Sequence, residues 1–230
     1  MKNEWTHIAK EAKQIQDAKN RVLNGKLLEL IHTYASDKGK AFDYGCGWGE
    51  FAEVLTKEGF DVEAFDAADE MVEEARTRYH NPHFYTRQEF QAKLPELEKT
   101  YDLVVSNLVL CILTKDEQNE MLENIKRIAK PNAPLVVSFC HPCTDYMTVG
   151  VVSKRLRSHT WNPKYDKEFK YRKVVHENQI EFTDYHRPLE YYSTLFKKHH
   201  LEIVDLAESE VLNTEALPDF IIFVLKNVQS

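Results

Sequence analysis

The sequence predicts an α/β fold, with a mostly parallel sheet covered by helices on both faces. From residue 40 onward short apolar strands alternate with amphipathic helices, an order that implies right-handed crossovers between parallel strands. Leu103-Val104-Val105 is an unbroken apolar run, as expected of a strand buried on both sides. A glycine cluster, Gly45, Gly47 and Gly49, falls where the first of these strands turns into a helix.

Taken in order, Met1 to Thr33 reads as helix with a break at Gly25, since Ile15, Ala18, Val22, Leu23, Leu27, Leu28 and Ile31 recur near helical spacing. Lys40–Tyr44 reads as a strand and Glu50–Lys57 as a helix, with Phe51, Val54 and Leu55 on one face and Gly59 ending it. Val62–Phe65, His83–Thr86 and Tyr101–Ser106 read as further strands, with a helix over Asp69–Tyr79. Thr114 followed by Glu117 has the spacing of a capping box and opens a helix to Ala129. Leu135–Phe139 is the fifth strand. Cys143–Phe182 then breaks the rhythm with a basic, aromatic stretch, read as an insertion over the C-terminal edge of the sheet. A helix over Pro188–His200 and strands at Leu201–Ala207 and Phe220–Lys226 complete the pattern.

At 230 residues, with 43% apolar and 29% charged residues, the chain has the length and balance of one α/β domain. No apolar run reaches the roughly 20 residues needed to span a bilayer, and the charged N-terminal segment lacks a signal-peptide core. A cytoplasmic protein without membrane partners is the expectation. The net charge of -7 argues against a general nucleic-acid binder, which needs a positive surface to displace counterions. The stretch from Val151 to Val174 is locally basic, a face suited to an anionic substrate or simply a solvated insertion.

Cys140-His141-Pro142-Cys143 forms a C-x-x-C. A redox motif wants its first cysteine at a helix N-terminus, yet this one ends a strand and no helix is evident after it. Two further ligands for zinc are not apparent at suitable spacing, so no metal is expected.

The sharpest motif is Asp43-Tyr44-Gly45-Cys46-Gly47-Trp48-Gly49. Glycines at a strand-to-helix turn permit positive φ and close approach of a ligand, and the helix that follows offers free N–H groups. Asp66 ends the next strand, where a carboxylate takes the hydroxyls of a ribose. The glycines run G-x-G-x-G, not the G-x-G-x-x-G that holds a pyrophosphate. A carboxylate at Asp43 would repel a pyrophosphate and attract an ammonium. S-adenosylmethionine is therefore favoured over a nicotinamide dinucleotide.

Residues 40–49 resemble the first motif of the class I S-adenosylmethionine-dependent methyltransferases. Val62-Glu63-Ala64-Phe65-Asp66 with Met71 resembles their second strand and the helix after it, and Tyr101 to Leu110 their fourth strand and the loop beside the methionine moiety. Tyr185-His186-Arg187-Pro188-Leu189-Glu190-Tyr191-Tyr192 resembles, more loosely, a segment of many small-molecule methyltransferases. The resemblance implies a Rossmann-like, seven-stranded, mostly parallel sheet whose last strand is antiparallel. It also implies one methyltransferase domain over 1–230: an N-terminal helical lid (1–36), a cofactor-binding core (37–142), a substrate-side insertion after the fifth strand (143–182) and a C-terminal helix with strands (183–230).

By the same resemblance Gly45, Cys46, Gly47 and Gly49 shape the cofactor loop, and Asp43 serves the methionine amino end. Asp66 takes the ribose, and Ala67 and Met71 wall the adenine. Gln88, Glu89 and Phe90 reach its edge or face, and Asn107 and Leu108 floor the methionine. The usual acidic residue after the third strand has two candidates here, Gln88 and Glu89. Met71 and Leu108 also have the spacing of plain core residues.

Methyl transfer needs in-line placement, and needs a base only where the acceptor loses a proton. His141 and His186 are the candidate bases or substrate contacts, each with a structural alternative. Tyr185, Arg187 and Trp161 are candidate substrate contacts, Arg187 as an anion partner. Trp5 and Arg21 mark the N-terminal helix, read either as a lid over the cofactor or as a plain packing helix.

The expected reaction moves a methyl group from S-adenosylmethionine to an oxygen or nitrogen of a small molecule, giving S-adenosylhomocysteine. RNA or protein methylation and a non-catalytic S-adenosylmethionine-binding role are the alternatives, with a nicotinamide dehydrogenase more distant.

Overall fold

A computed structural model describes residues 23–147, 153–155, 164–175, 180–211 and 217–228. Its elements are α1 (Gly25–Tyr34), β1 (Lys40–Tyr44), α2 (Glu50–Lys57), β2 (Asp61–Phe65), α3 (Asp69–Arg78), β3 (His83–Tyr85), α4 (Arg87–Leu97), β4 (Leu103–Asn107), a 3-10 turn (Leu110–Ile112), α5 (Lys115–Ile128), β5 (Leu135–Cys140), α6 (Pro142–Met147), β6 (Ser153–Arg155), β7 (Phe169–Val175), β8 (Ile180–His186), α7 (Leu189–Lys198), β9 (Leu201–Glu208) and β10 (Phe220–Asn227).

Seven strands form one sheet in the order β3-β2-β1-β4-β5-β10-β9. The first five pair in parallel, while β10 lies antiparallel to both β5 and β9. The order reverses between β1 and β4, the switch point beyond whose strand C-termini open α/β sheets place their ligand crevice. This is the expected α/β architecture, with its last strand antiparallel.

Side chains alternate across the sheet as the two-residue period of a strand requires. Phe42, Val104, Val137, Phe139 and Phe223 join a core built with α4, α5 and α7, while Ala41, Leu103, Val105, Val136 and Val224 join a second core built with α1, α2 and α3. Both faces are therefore dry, which explains the unbroken apolar run in β4. Phe139 stacks on Tyr192 of α7 with ring centroids 4.1 Å apart, and Phe65 stacks on Phe90 of α4 at 4.5 Å.

Several expectations change in detail. The helix over residues 87–97 was not apparent in the sequence, because Pro95 lies inside it, although Thr86 and Glu89 close a capping box at its start. At Gly25 itself the described backbone is helical, with Leu23 and Asn24 forming a π turn that leads into α1. Asn24 before it is already helical, with φ -64° and ψ -35°. The N-terminal half of that expected helix, with Trp5 and Arg21, lies outside the described residues, as does Trp161.

A helix, α6, does follow the C-x-x-C motif. The insertion forms a second, three-stranded antiparallel sheet in the order β6-β7-β8, and it runs to His186, past the expected limit at Phe182. Among the described residues no helix is long and apolar enough to cross a membrane.

Candidate active site

The glycine loop closes over the end of β2. The backbone N–H groups of Gly45 and Cys46 both donate to the Phe65 carbonyl, at 2.7 and 2.9 Å. Gly45, Gly47 and Gly49 have φ of 86°, 54° and 80°, conformations that favour glycine. Two of them also permit close packing. A Cβ on Gly45 would sit 2.3 Å from the Val109 side chain, and one on Gly49 would sit 2.7 Å from the Phe84 ring. Gly47 differs, because a Cβ there would meet nothing within 4 Å. The first and third glycines thus serve the fold, and the middle one faces open space.

Asp66 ties this loop to the end of β2. One carboxylate oxygen accepts from the Gly47 N–H at 2.8 Å, and the other accepts from the Ala68 N–H, also at 2.8 Å. Burial pushes the Asp66 carboxyl up, while the Ala68 and Gly47 N–H groups oppose that shift. Each oxygen keeps a further lone pair for a hydroxyl donor. Asp43, at the end of β1, is 1% exposed. Burial, with Asp66 and Asp43 nearby, pushes the Cys46 thiol well up, so Cys46 stays neutral beside the loop.

The loop beyond β4 supplies the opposite wall. Asn107 accepts from the Ser138 hydroxyl through Oδ1 at 2.6 Å. Its buried amide nitrogen has no hydrogen-bond partner among the described residues. Leu108 follows with φ 63°, a left-handed conformation that costs a side-chain-bearing residue roughly 1–2 kcal/mol. Such strain concentrates at ligand sites. The unpaired donor of Asn107 and the open space at Gly47 fit S-adenosylmethionine, whose methionine end carries acceptor oxygens.

The remaining cofactor candidates fall on either side of the loop. Met71 is buried on α3 and Ala67 is half-buried. Gln88 is exposed. Glu89 closes the α4 cap and pairs with Arg76 at 2.6 Å. Phe90 belongs to the core.

On the acceptor side, His141 and His186 are both buried. Nδ1 of His141 accepts from the Cys143 N–H at 3.2 Å, and Nε2 lies 3.0 Å from a Glu208 carboxylate oxygen. Burial lowers its pKa, which agrees with a neutral ring protonated on Nε2. Both its nitrogens are therefore engaged. His186 donates from Nε2 to the Tyr165 carbonyl at 2.8 Å and stacks on Phe169. That bond places the proton on Nε2 and the lone pair on Nδ1.

Arg187 was expected to meet an anion, but the structure gives it internal partners. Its guanidinium donates to the carbonyls of Cys111 and Leu113 at 3.3 and 2.7 Å, lies 3.8 Å from Glu168, and packs on the rings of Tyr185 and Tyr191. Arg187 thereby pins the end of the inserted sheet to the turn beyond β4.

The C-x-x-C motif divides. Cys143 faces the Tyr165 hydroxyl at 3.6 Å, while Cys140 comes together with Cys111 and Asp184. Sequence spacing could not reveal that grouping, because its members lie far apart along the chain.

Residues 41–132 match the family model described as a methyltransferase domain. Among curated proteins, the chain is 27% identical over 185 residues to the ubiquinone biosynthesis O-methyltransferase of Rickettsia conorii, covering 78% of this chain and 58% of that protein. It is 28% identical over 112 residues to the ribosomal protein L11 methyltransferase of Campylobacter concisus, covering 48% of this chain and 38% of that protein. The chain thus spans about four to six tenths of these relatives' lengths. Among solved structures, the PH0226 protein of Pyrococcus horikoshii superposes with a TM-score of 0.68 at 18% identity, over 95% of this chain and 93% of that one. A putative S-adenosylmethionine-dependent methyltransferase from Listeria monocytogenes superposes with a TM-score of 0.60 at 17% identity, over 86% of this chain and 98% of that one. These structural likenesses establish a shared fold.

Proposed function

We propose that the chain, whose residues 41–132 match a methyltransferase-domain model, is an S-adenosylmethionine-dependent methyltransferase of class I that methylates an oxygen or nitrogen atom of a small-molecule acceptor, leaving S-adenosylhomocysteine. The observation that carries the acceptor class is the inserted sheet. Arg187 holds the end of β8 against the turn beyond β4, so a protein layer lies against the loop beside the glycine crevice. A layer there encloses a small acceptor and excludes water more readily than it admits a polymer. The ubiquinone O-methyltransferase relative points the same way. The basic run from Val151 to Val174 favours an acceptor with an anionic group.

When bound, the sulfonium of the cofactor supplies an activated methyl group. The protein's part is placement. Asp66 and the Gly47 loop hold the ribose end, with Ala67 and Met71 beside the adenine, Asn107 offers its amide donor to the methionine end, and Asp43 complements the ammonium. Of the two histidines, we assign the acceptor proton to His186, whose ring is oriented by its Nε2 bond to the Tyr165 carbonyl and by stacking on Phe169. His141, with both nitrogens engaged, positions the segment after β5.

The test is incubation of the purified protein with methyl-labelled S-adenosylmethionine and a cell extract separated into small molecules, RNA and protein. Label in the small-molecule fraction supports the reading. Label in RNA or protein replaces it, and the L11 methyltransferase relative makes the protein fraction the informative control. Cofactor binding with no label in any fraction points to a binding protein that does not catalyse. His186→Ala with undiminished turnover removes His186 from the mechanism.

A further inference from the structure

We infer that Cys111, Cys140 and Asp184 form a binding site for zinc or a similar soft divalent cation. One ligand atom from each residue lies within 4.8 Å of the other two. They come from three separate parts of the fold: the 3-10 turn beyond β4, the end of β5, and β8 of the inserted sheet. Cys111 and Asp184 are buried and Cys140 is half-buried. Neither cysteine is in a disulfide.

The donor set selects the metal. Two thiolates and a carboxylate are soft and borderline ligands, favouring zinc over magnesium or calcium, which take oxygen ligands. Zinc holds sulfur at about 2.3 Å and carboxylate oxygen at about 2.0–2.2 Å in a tetrahedron. That geometry puts ligand atoms about 3.5–3.8 Å apart, so the observed cluster needs only a small contraction. Three protein ligands leave a fourth position for water or another donor atom.

The surroundings balance the charge. Two thiolates and the Asp184 carboxylate carry three negative charges, of which a divalent cation neutralises two. Arg187 supplies the third positive charge: its side chain is 2% exposed and its guanidinium donates to the Cys111 carbonyl, while Glu168, 3.8 Å from it, is matched more closely by Lys115 at 2.9 Å. Burying an unbalanced charge is expensive, and this arrangement avoids it. Asp184 is oriented by the Tyr185 N–H, which donates to Oδ1 at 2.7 Å. On binding, the two thiols release their protons to solvent. The cation would then tie the inserted sheet to the turn beyond β4 and to β5. This site does not depend on the methyl acceptor or on the cofactor.

The test uses the full chain, purified under reducing conditions, stripped with a chelator and titrated with cobalt(II) and then zinc(II) alone. The expected result is uptake of one equivalent of cobalt, with a near-ultraviolet thiolate-to-cobalt charge-transfer band and tetrahedral visible bands that zinc abolishes. Cys111→Ser and Cys140→Ser should each weaken zinc by at least about a hundredfold, beyond the loss typical of an outer-shell partner. Cys143→Ser should leave affinity within a factor of about two, since its thiol faces Tyr165 and supplies no ligand.

Thiol protection keeps the test independent of variant folding. In the wild-type chain, zinc should shield Cys111 and Cys140 from alkylation and leave the reactivity of Cys143 unchanged. Absence of saturable uptake by the wild-type chain overturns the site, as does uptake that survives both cysteine variants with no protection of Cys111 and Cys140. A Cys111–Cys140 disulfide formed in air, in a chain that takes up no metal when reduced, overturns it in favour of a redox pair.

Discussion

Asp66 is where local geometry and ligand chemistry meet, because one carboxylate accepts from both Gly47 and Ala68. An amide cannot reproduce this, since its nitrogen would face one of the two N–H groups. Asp66→Asn should therefore leave one N–H unpaired and lower stability by about 1–3 kcal/mol. It should also weaken S-adenosylhomocysteine by about tenfold or more through loss of a charge-assisted bond to the ribose. Calorimetry of binding beside denaturant melts separates the two effects, and unchanged affinity would exclude Asp66 from the ribose site.

His141 gives a pH signature. Burial holds its imidazole below the ordinary value of 6.5, against the opposing pull of Glu208. The unfolded chain takes up this proton at higher pH than the folded chain, so stability present above about 6.5 is lost as pH falls below it. The wild-type melting temperature should fall more steeply than that of His141→Gln between pH 7 and 5.5. Parallel curves would show that His141 titrates alike in both states.

At the scale of elements, the inserted sheet depends on Arg187. Lysine would keep the charge but not the two-pronged grip on the Cys111 and Leu113 carbonyls. Arg187→Lys should cost roughly 2–3 kcal/mol and release β7 and β8 before the main sheet. Hydrogen exchange should then rise in residues 169–186 while β1, β4 and β5 stay protected. Uniform exchange across both sheets would mean that the insertion folds as one unit with the core.

The same scale explains what the sequence disclosed. Strands with unbroken apolar runs and helices with caps were legible because local pattern and burial agree, as in β4 and in α5 behind Thr114 and Glu117. Helix α4 was missed because Pro95 lies inside it, and the capping box of Thr86 and Glu89 was the local signal that could have found it. The insertion hid its strands because aromatic and charged residues alternate irregularly there. The glycine loop and Asp66 were legible because they are close in sequence. The roles of Arg187, Cys111, Cys140 and Asp184 were not, because their partners are set by tertiary contacts between distant segments.

For the whole molecule, the decisive property is the doubly covered sheet with its crevice at the order reversal between β1 and β4. The crevice is built from loops on rigid strand ends, so a ligand bound there should stabilise the chain by mass action without remodelling the core. S-adenosylhomocysteine at a hundred times its dissociation constant adds about 2.7 kcal/mol. For a chain of 230 residues, each kcal/mol moves the midpoint by about 2–4 °C, giving a rise of roughly 5–10 °C. NADH at the same concentration should produce no shift if, as proposed, Asp43 faces the methionine ammonium, because its carboxylate would repel a pyrophosphate there. A thermal melt with each ligand reads both predictions. A rise with NADH alone would reverse the choice of cofactor, and equal rises with both would mean that the loop recognises only the adenosine that the two ligands share.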